Sequence, residues 1–143
     1  MAARQEAPLR SEAQERRVTS QGITFDTGML VALERRKQPA WDVYKRAFER
    51  QVAITVPAVV IGEWWRGRTD LRESLLDSVR VEPLTSAIAQ LAGEALAKVK
   101  RSTTIDAFVM ASAALRGDVV YTGDVEDFER LRTFFPGVRV LSF

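Results

Sequence analysis

Neither cysteine nor histidine occurs anywhere in the 143 residues. Without cysteine, disulfides and thiolate metal sites are excluded. Without histidine, Ser-His-Asp and Cys-His catalysis, imidazole zinc centres and the usual neutral-pH general base are excluded too. Any metal centre must therefore be built from carboxylates and other oxygens, a donor set that suits Mg²⁺ or Mn²⁺. A strong excess of one charge is also lacking: 21 Lys and Arg stand against 19 Asp and Glu, a formal net charge of +2. That balance is compatible with a nucleic-acid ligand without pointing to one. The longest apolar run, Val52 to Ile61, is broken by Thr55 and Pro57 and is too short to span a membrane. The N-terminus carries Arg4, Glu6, Arg10, Glu12, Glu15, Arg16 and Arg17 with no apolar core, unlike a secretory signal, so the expected location is cytoplasmic.

What is present fits one domain with a real core: 46% of residues are hydrophobic and 28% charged. Residues 1–21 are polar, of mixed charge and free of aromatics, and read as a flexible N-terminal extension. The domain proper is expected over residues 22–143. Gly22-Ile23-Thr24-Phe25 reads as a first strand, Val52 to Val56 as a second, Val79 to Val81 as a third, Asp118 to Tyr121 as a fourth and Val138 to Leu141 as a fifth. Between them, Met29, Leu30 and Leu33 have helical spacing, and a second helix opens at Pro39 with Trp41, Tyr44 and Phe48 on it. A helix over about 57–67 follows Pro57, Leu71, Leu75 and Leu76 mark a short one, and Thr85 or Ser86 caps another with a basic end at Lys98, Lys100 and Arg101. Strands alternating with helices predict an α/β fold with a central parallel sheet of about five strands, flanked by helices.

The most unusual stretch is Thr103-Thr104-Ile105-Asp106-Ala107-Phe108-Val109-Met110-Ala111-Ser112-Ala113-Ala114-Leu115. Apart from Ser112 every residue after Asp106 is apolar, so a buried helix is expected, stopped at Gly117. Its first turn nonetheless carries Asp106, a charge that needs a partner if it is desolvated. With Thr103 as N-cap, Asp106 can simply offset the helix dipole. It can equally be one ligand of a metal at the end of the sheet.

The placement of other acids bears on that choice. Asp26 stands just past the first strand and Asp124 just past the fourth, where ligands bind in an open α/β sheet if those strands are neighbours. Glu63 lies in the helix after Pro57. Each has a local explanation: Asp26 as a helix cap, Glu63 paired with Arg66, Asp124 and Asp127 as an N-cap pair. Jointly these explanations leave unexplained why acids follow both strands at the predicted switch point. Carboxylates that close repel, and a divalent cation is the usual remedy.

In this order, Phe25-Asp26-Thr27, Val60-Ile61-Gly62-Glu63, Asp106-Ala107 and Thr122-Gly123-Asp124-Val125-Glu126-Asp127-Phe128 resemble a PIN domain, and more narrowly the VapC toxins of type II toxin–antitoxin systems. The resemblance covers about residues 22–143. It implies Mg²⁺- or Mn²⁺-dependent endoribonuclease activity on RNA, neutralised by a cognate VapB-like antitoxin that blocks the site. It also implies an acidic quartet at Asp26, Glu63, Asp106 and Asp124, a further metal-side acid at Asp127, and supporting hydroxyls at Thr27 and Thr122. Gly28 departs from the pattern, since such toxins more often carry Ser or Asn there.

On this reading the chemistry is metal-assisted phosphodiester hydrolysis, which needs no histidine. Asp26 and Asp106 lead as direct ligands, with Glu63 and Asp124 binding directly or through water. Arg66, Arg68, Lys98, Lys100, Arg101 and Arg116 are the candidate RNA phosphate contacts. Trp64 and Trp65 point about 100° apart on a helix, so one is expected in the core while the other is free to stack a base or hold an antitoxin helix. With Trp41, Tyr44 and Phe48 they also offer a surface for a homodimer. Phe25-Asp26-Thr27-Gly28 contains the Asp-Thr-Gly of aspartic proteases, but that chemistry needs two such aspartates in a mostly β fold, and here there is one. The stronger alternative is a non-catalytic PIN-like module that only binds protein or RNA.

Overall fold

Five short runs rich in β-branched residues pair as one parallel sheet. The computed structural model describes residues 21–143, which run β1 (Ile23–Phe25), α1 (Thr27–Glu34), α2 (Gln38–Glu49), β2 (Ile54–Pro57), α3 (Ala58–Trp64), α4 (Asp70–Asp77), β3 (Arg80–Glu82), α5 (Ser86–Lys98), α6 (Thr104–Arg116), β4 (Val119–Thr122), α7 (Val125–Leu131) and β5 (Val140–Ser142). Apart from Gln21, the N-terminal extension lies outside the described residues. The strand order is β3-β2-β1-β4-β5, every pair parallel. The α/β class and the five-stranded parallel sheet expected from the periodicity are therefore both present.

The order decides where a site can form. The chain steps outward from β1 to β2 and β3, then returns to the far side of β1 to lay down β4 and β5. Phe25 is registered with Tyr121 at the carboxyl ends of β1 and β4. Strand order reverses between these two, so the crevice beyond their ends is open to a ligand.

Burial on both faces of the sheet explains the apolar strands. Phe25, Val56 and Val120 are fully buried, and so are the polar side chains of Thr24 and Thr122. α6 packs most extensively on α5 and also touches β1, β2 and β4. Thr103 Oγ1 caps it by accepting the Asp106 N–H at 3.2 Å, and Gly117 stops it in the left-handed region at φ 76°. Ala107 and Val109 to Ala113 are buried, but Leu115 is 58% exposed. The helix is thus interior for most of its length, and in its last turn Leu115 reaches solvent while Arg116 stays half-buried.

Several element boundaries differ from the sequence reading: β2 starts at Ile54 rather than Val52, β3 and β4 are shifted by one residue, and α3 and β5 differ more informatively. α3 ends at Trp64, not near residue 67, because Trp65 turns to extended backbone at φ −68°, ψ 127°. That turn lets Trp64 enter the core and donate its indole N–H to Glu34 Oε2 at 3.0 Å, while Trp65 stays half-buried. β5 begins at Val140, two residues later than expected, because Val138 closes a turn onto Phe135.

Candidate active site

Each acid is delivered by the element that the local sequence dictates. Asp26 follows β1 as the N-cap of α1 and is buried, only 6% exposed. Its two oxygens have separate partners: Oδ1 accepts the Met29 N–H at 2.9 Å, and Oδ2 accepts the Thr122 hydroxyl at 2.5 Å. Thr122, at the end of β4, also accepts the Asp124 N–H at 2.8 Å. The capping explanation of Asp26 is thus correct for one oxygen and leaves the other for the site.

Glu63 projects from α3, where its Oε1 accepts the Thr27 hydroxyl. It does not pair with Arg66, whose guanidinium donates to the carbonyls of Gly62 and Trp65 because the helix has already ended. Asp106 is half-buried in the first turn of α6. Asp124 occupies the N-cap position of α7, but its side chain makes no capping bond.

Asp26, Glu63, Asp106 and Asp124 line one cavity of about 380 Å³, together with Thr27, Gly28, Ile105, Val109, Gly123, Phe128 and Phe143. Four separate segments therefore meet at the crevice between β1 and β4. As placed, no three acidic side chains among the described residues are grouped to coordinate one ion directly; they ring the cavity.

The electrostatics express that crowding. Burial pushes Asp26 from 3.8 up to about 6; the Thr122 and Met29 hydrogen bonds oppose it, while Asp106 and Asp124 add repulsion. Asp106 is raised first by burial, against its bond with Thr103, and further by Asp127, Asp124 and Glu63. Asp124 and Asp127 share a hydrogen bond that raises Asp124 and lowers Asp127. Arg130 pairs with Asp127 and adds to the lowering of its pKa. The donors are all oxygens and their charges are mutually unfavourable, which in kind fits a hard divalent cation.

The remaining expected residues separate into three groups. Asp127 does not line the cavity; Arg130 holds it at i+3 on α7. Arg66 and Arg68 lie on the exposed segment after α3, where Arg68 pairs with Glu73 at 2.9 Å, and Lys98, Lys100 and Arg101 are exposed at the end of α5 and before α6. Arg116 requires correction. It sits at the opposite end of α6 from Asp106, ten residues or about 15 Å along the helix axis. There it binds Asp118 Oδ2 at 3.0 Å, Thr24 Oγ1 at 2.6 Å and Ser112 Oγ at 2.6 Å, and pairs with Glu82. This buried network joins α6 to three strands or strand ends and leaves Arg116 nothing to offer a phosphate.

Sequence reasoning missed the apolar lining residues Ile105, Val109, Phe128 and Phe143, and the anchor formed by Glu34 with Trp64 and Arg72. The Asp127–Arg130 pair, also missed, had a local signal in its i+3 spacing.

The PIN domain family model matches residues 23–133. The chain belongs to the PIN domain family. Solved structures with the same fold include VapBC2 from Rickettsia felis bound to a DNA fragment from their promoter, at 12% identity and TM-score 0.68 over 85% of this chain and 98% of that one. DNA-bound VapBC from Salmonella typhimurium matches at 17% identity and TM-score 0.67 over 85% and 98% of the two chains. A toxin–antitoxin complex from Klebsiella pneumoniae matches at 18% identity and TM-score 0.62 over 84% and 96%. No curated protein matches the sequence significantly. Among the described residues of this PIN domain, no helix is long and apolar enough to cross a membrane.

Proposed function

We propose that this PIN domain is a metal-dependent endoribonuclease of the VapC toxin type, held in check by a cognate antitoxin. The observation that carries the reading is the meeting of Asp26, Glu63, Asp106 and Asp124 from four distant segments in one crevice. The burial of Asp26, which raises its pKa to about 6 with Asp106 and Asp124 adding repulsion, supports the same reading. Asp26 and Asp106 are the leading ligands for Mg²⁺ or Mn²⁺, with Glu63 and Asp124 completing the set directly or through water. When bound, the cation would polarise the scissile phosphate and acidify a water. The chain's own residues prepare for this. Thr122 and the Met29 N–H fix both oxygens of Asp26, Thr27 orients Glu63, and Arg130 keeps Asp127 neutralised beside Asp124. The basic residues that flank the site in sequence, Arg66, Arg68, Lys98, Lys100 and Arg101, would hold the RNA backbone.

The neighbouring structures are toxin–antitoxin assemblies, which supports an antitoxin partner for this chain as well. The spread of the acids around the cavity, without three at one point, is what favours the alternative of a non-catalytic binding module. Cleavage of a mixed RNA pool by the wild type in Mg²⁺, Mn²⁺ or EDTA decides between them. Cleavage that needs the cation and disappears in Asp106→Asn is expected. Activity that survives EDTA, or equal activity in the mutant, would sink the nuclease reading.

A further inference from the structure

The cavity lining is chemically mixed. Beside the four carboxylates it includes Ile105, Val109, Phe128 and Phe143. A bound cation and phosphodiester account for the carboxylates but leave the aromatic part of the lining without a role. The cavity volume, about 380 Å³, is within the range of sites that enclose a small molecule or one ligand unit.

Of the two aromatic rings in the lining, Phe128 is only 1% exposed and serves the core. Phe143 is half-buried, so part of its ring faces the cavity. The ring rests on Gly123: a Cβ there would come within 3.2 Å of Phe143 Cζ and 3.5 Å of Cε1. Gly123 is the residue between Thr122 and Asp124, so the ring lies on the backbone of the loop that carries the site. Absence of a side chain at 123 is what allows this approach. An accessible aromatic ring beside a backbone-binding site is a surface on which unpaired bases stack, and it tolerates all four bases to different degrees.

We propose that Phe143 is a specificity-determining residue: its ring stacks the unpaired nucleobase next to the scissile phosphate. This rests on the nuclease reading above. A purely positioning role, in which the ring only braces the 122–124 loop, makes different predictions.

The experiment has two arms. In the first, short single-stranded RNA carrying 2-aminopurine at successive positions is bound to Asp106→Asn protein in Mg²⁺, the substitution preventing cleavage. Stacking on Phe143 should quench the fluorescence at one position. Phe143→Leu in the same background should abolish that quenching and weaken binding about five- to fifty-fold, whereas Phe143→Tyr should restore both. In the second, the cut sites of wild type, Phe143→Leu and Phe143→Tyr in a random RNA pool are sequenced with Mg²⁺ present. Loss of base preference on one side of the cut in Phe143→Leu, retained in Phe143→Tyr, supports stacking. An unchanged cut-site spectrum with a uniformly slower rate means that the ring only braces the loop, which overturns the proposal and leaves the nuclease reading standing. A wild type that neither binds nor cuts RNA overturns both.

Discussion

Thr122 and Asp26 join across the two central strands, the hydroxyl donating to Asp26 Oδ2 at 2.5 Å while its oxygen accepts the Asp124 N–H at 2.8 Å. One threonine at the end of β4 therefore holds a side chain after β1 and the backbone after β4. Thr122→Val keeps the shape and removes both bonds. The pKa of Asp26, which this bond lowers, should rise further above about 6. Stability should fall by about 1–3 kcal/mol, the cost of leaving buried polar groups unpaired. Thr122→Ser should recover most of the loss, and urea unfolding of the three proteins side by side is the measurement.

The pH dependence of stability in the metal-free protein has a definite sign. Asp26 has a folded pKa of about 6 against an ordinary 3.8, so between these values the folded state holds more protons than the unfolded one. Its contribution is most favourable below about pH 4 and is lost as pH rises through 6, by about 3 kcal/mol in all. Asp26→Asn does not titrate. In EDTA the mutant should therefore gain on the wild type as pH goes from 4 to 8. A difference in unfolding free energy that stays constant over that range would mean that Asp26 ionises normally.

Asp106→Asn should lose RNA cleavage by orders of magnitude while keeping its fold. If Asp106 only offset the α6 dipole, the change would cost about 0.3–1 kcal/mol and nothing in chemistry. Because Asp127, Asp124 and Glu63 all push its pKa upward, removing its charge relieves repulsion, and the melting temperature without metal should hold or rise. Circular dichroism melts in EDTA, run beside the cleavage assay, separate the two effects.

Arg116 and Arg101 should respond in opposite ways. Arg116→Met leaves Asp118 buried with its cation gone, which should cost about 3–5 kcal/mol of stability. RNA affinity of the folded fraction should not change. Arg101→Ala should leave stability nearly unaltered and reduce the salt dependence of RNA binding by about one unit of slope. Affinity titrations across salt concentrations, paired with thermal melts, test both.

The placing of Asp26, Asp106 and Asp124 at one end of the sheet was legible because each sits at a boundary that sequence marks by itself, whereas Glu63, inside a helix, had no such mark. Asp26 follows the apolar run Ile23 to Phe25, Asp106 stands three residues after a capping Thr103, and Asp124 follows Val119 to Thr122. The role of Arg116 was not legible. In sequence it is a basic residue at a helix end, like Lys98, and only the arrival of Asp118, Thr24 and Glu82 from elsewhere in the chain makes it internal. Phe143 was missed for the same reason, since its partner Gly123 is twenty positions away and carries no side chain to suggest a contact.

By itself the sequence determined the α/β class, the alternation of strands and helices, and the restriction of any metal ligands to oxygen, because periodicity, caps and the absence of cysteine and histidine are local or compositional properties. Tertiary structure alone decided that β1 and β4 are neighbours, and hence that Asp26 and Asp124 share a crevice. It also decided which oxygen of Asp26 caps a helix and which faces Thr122, and how far burial raises its pKa. Strand order, desolvation and hydrogen-bond partnership depend on residues far apart in the chain, and such pairings exist only once the sheet has closed around them.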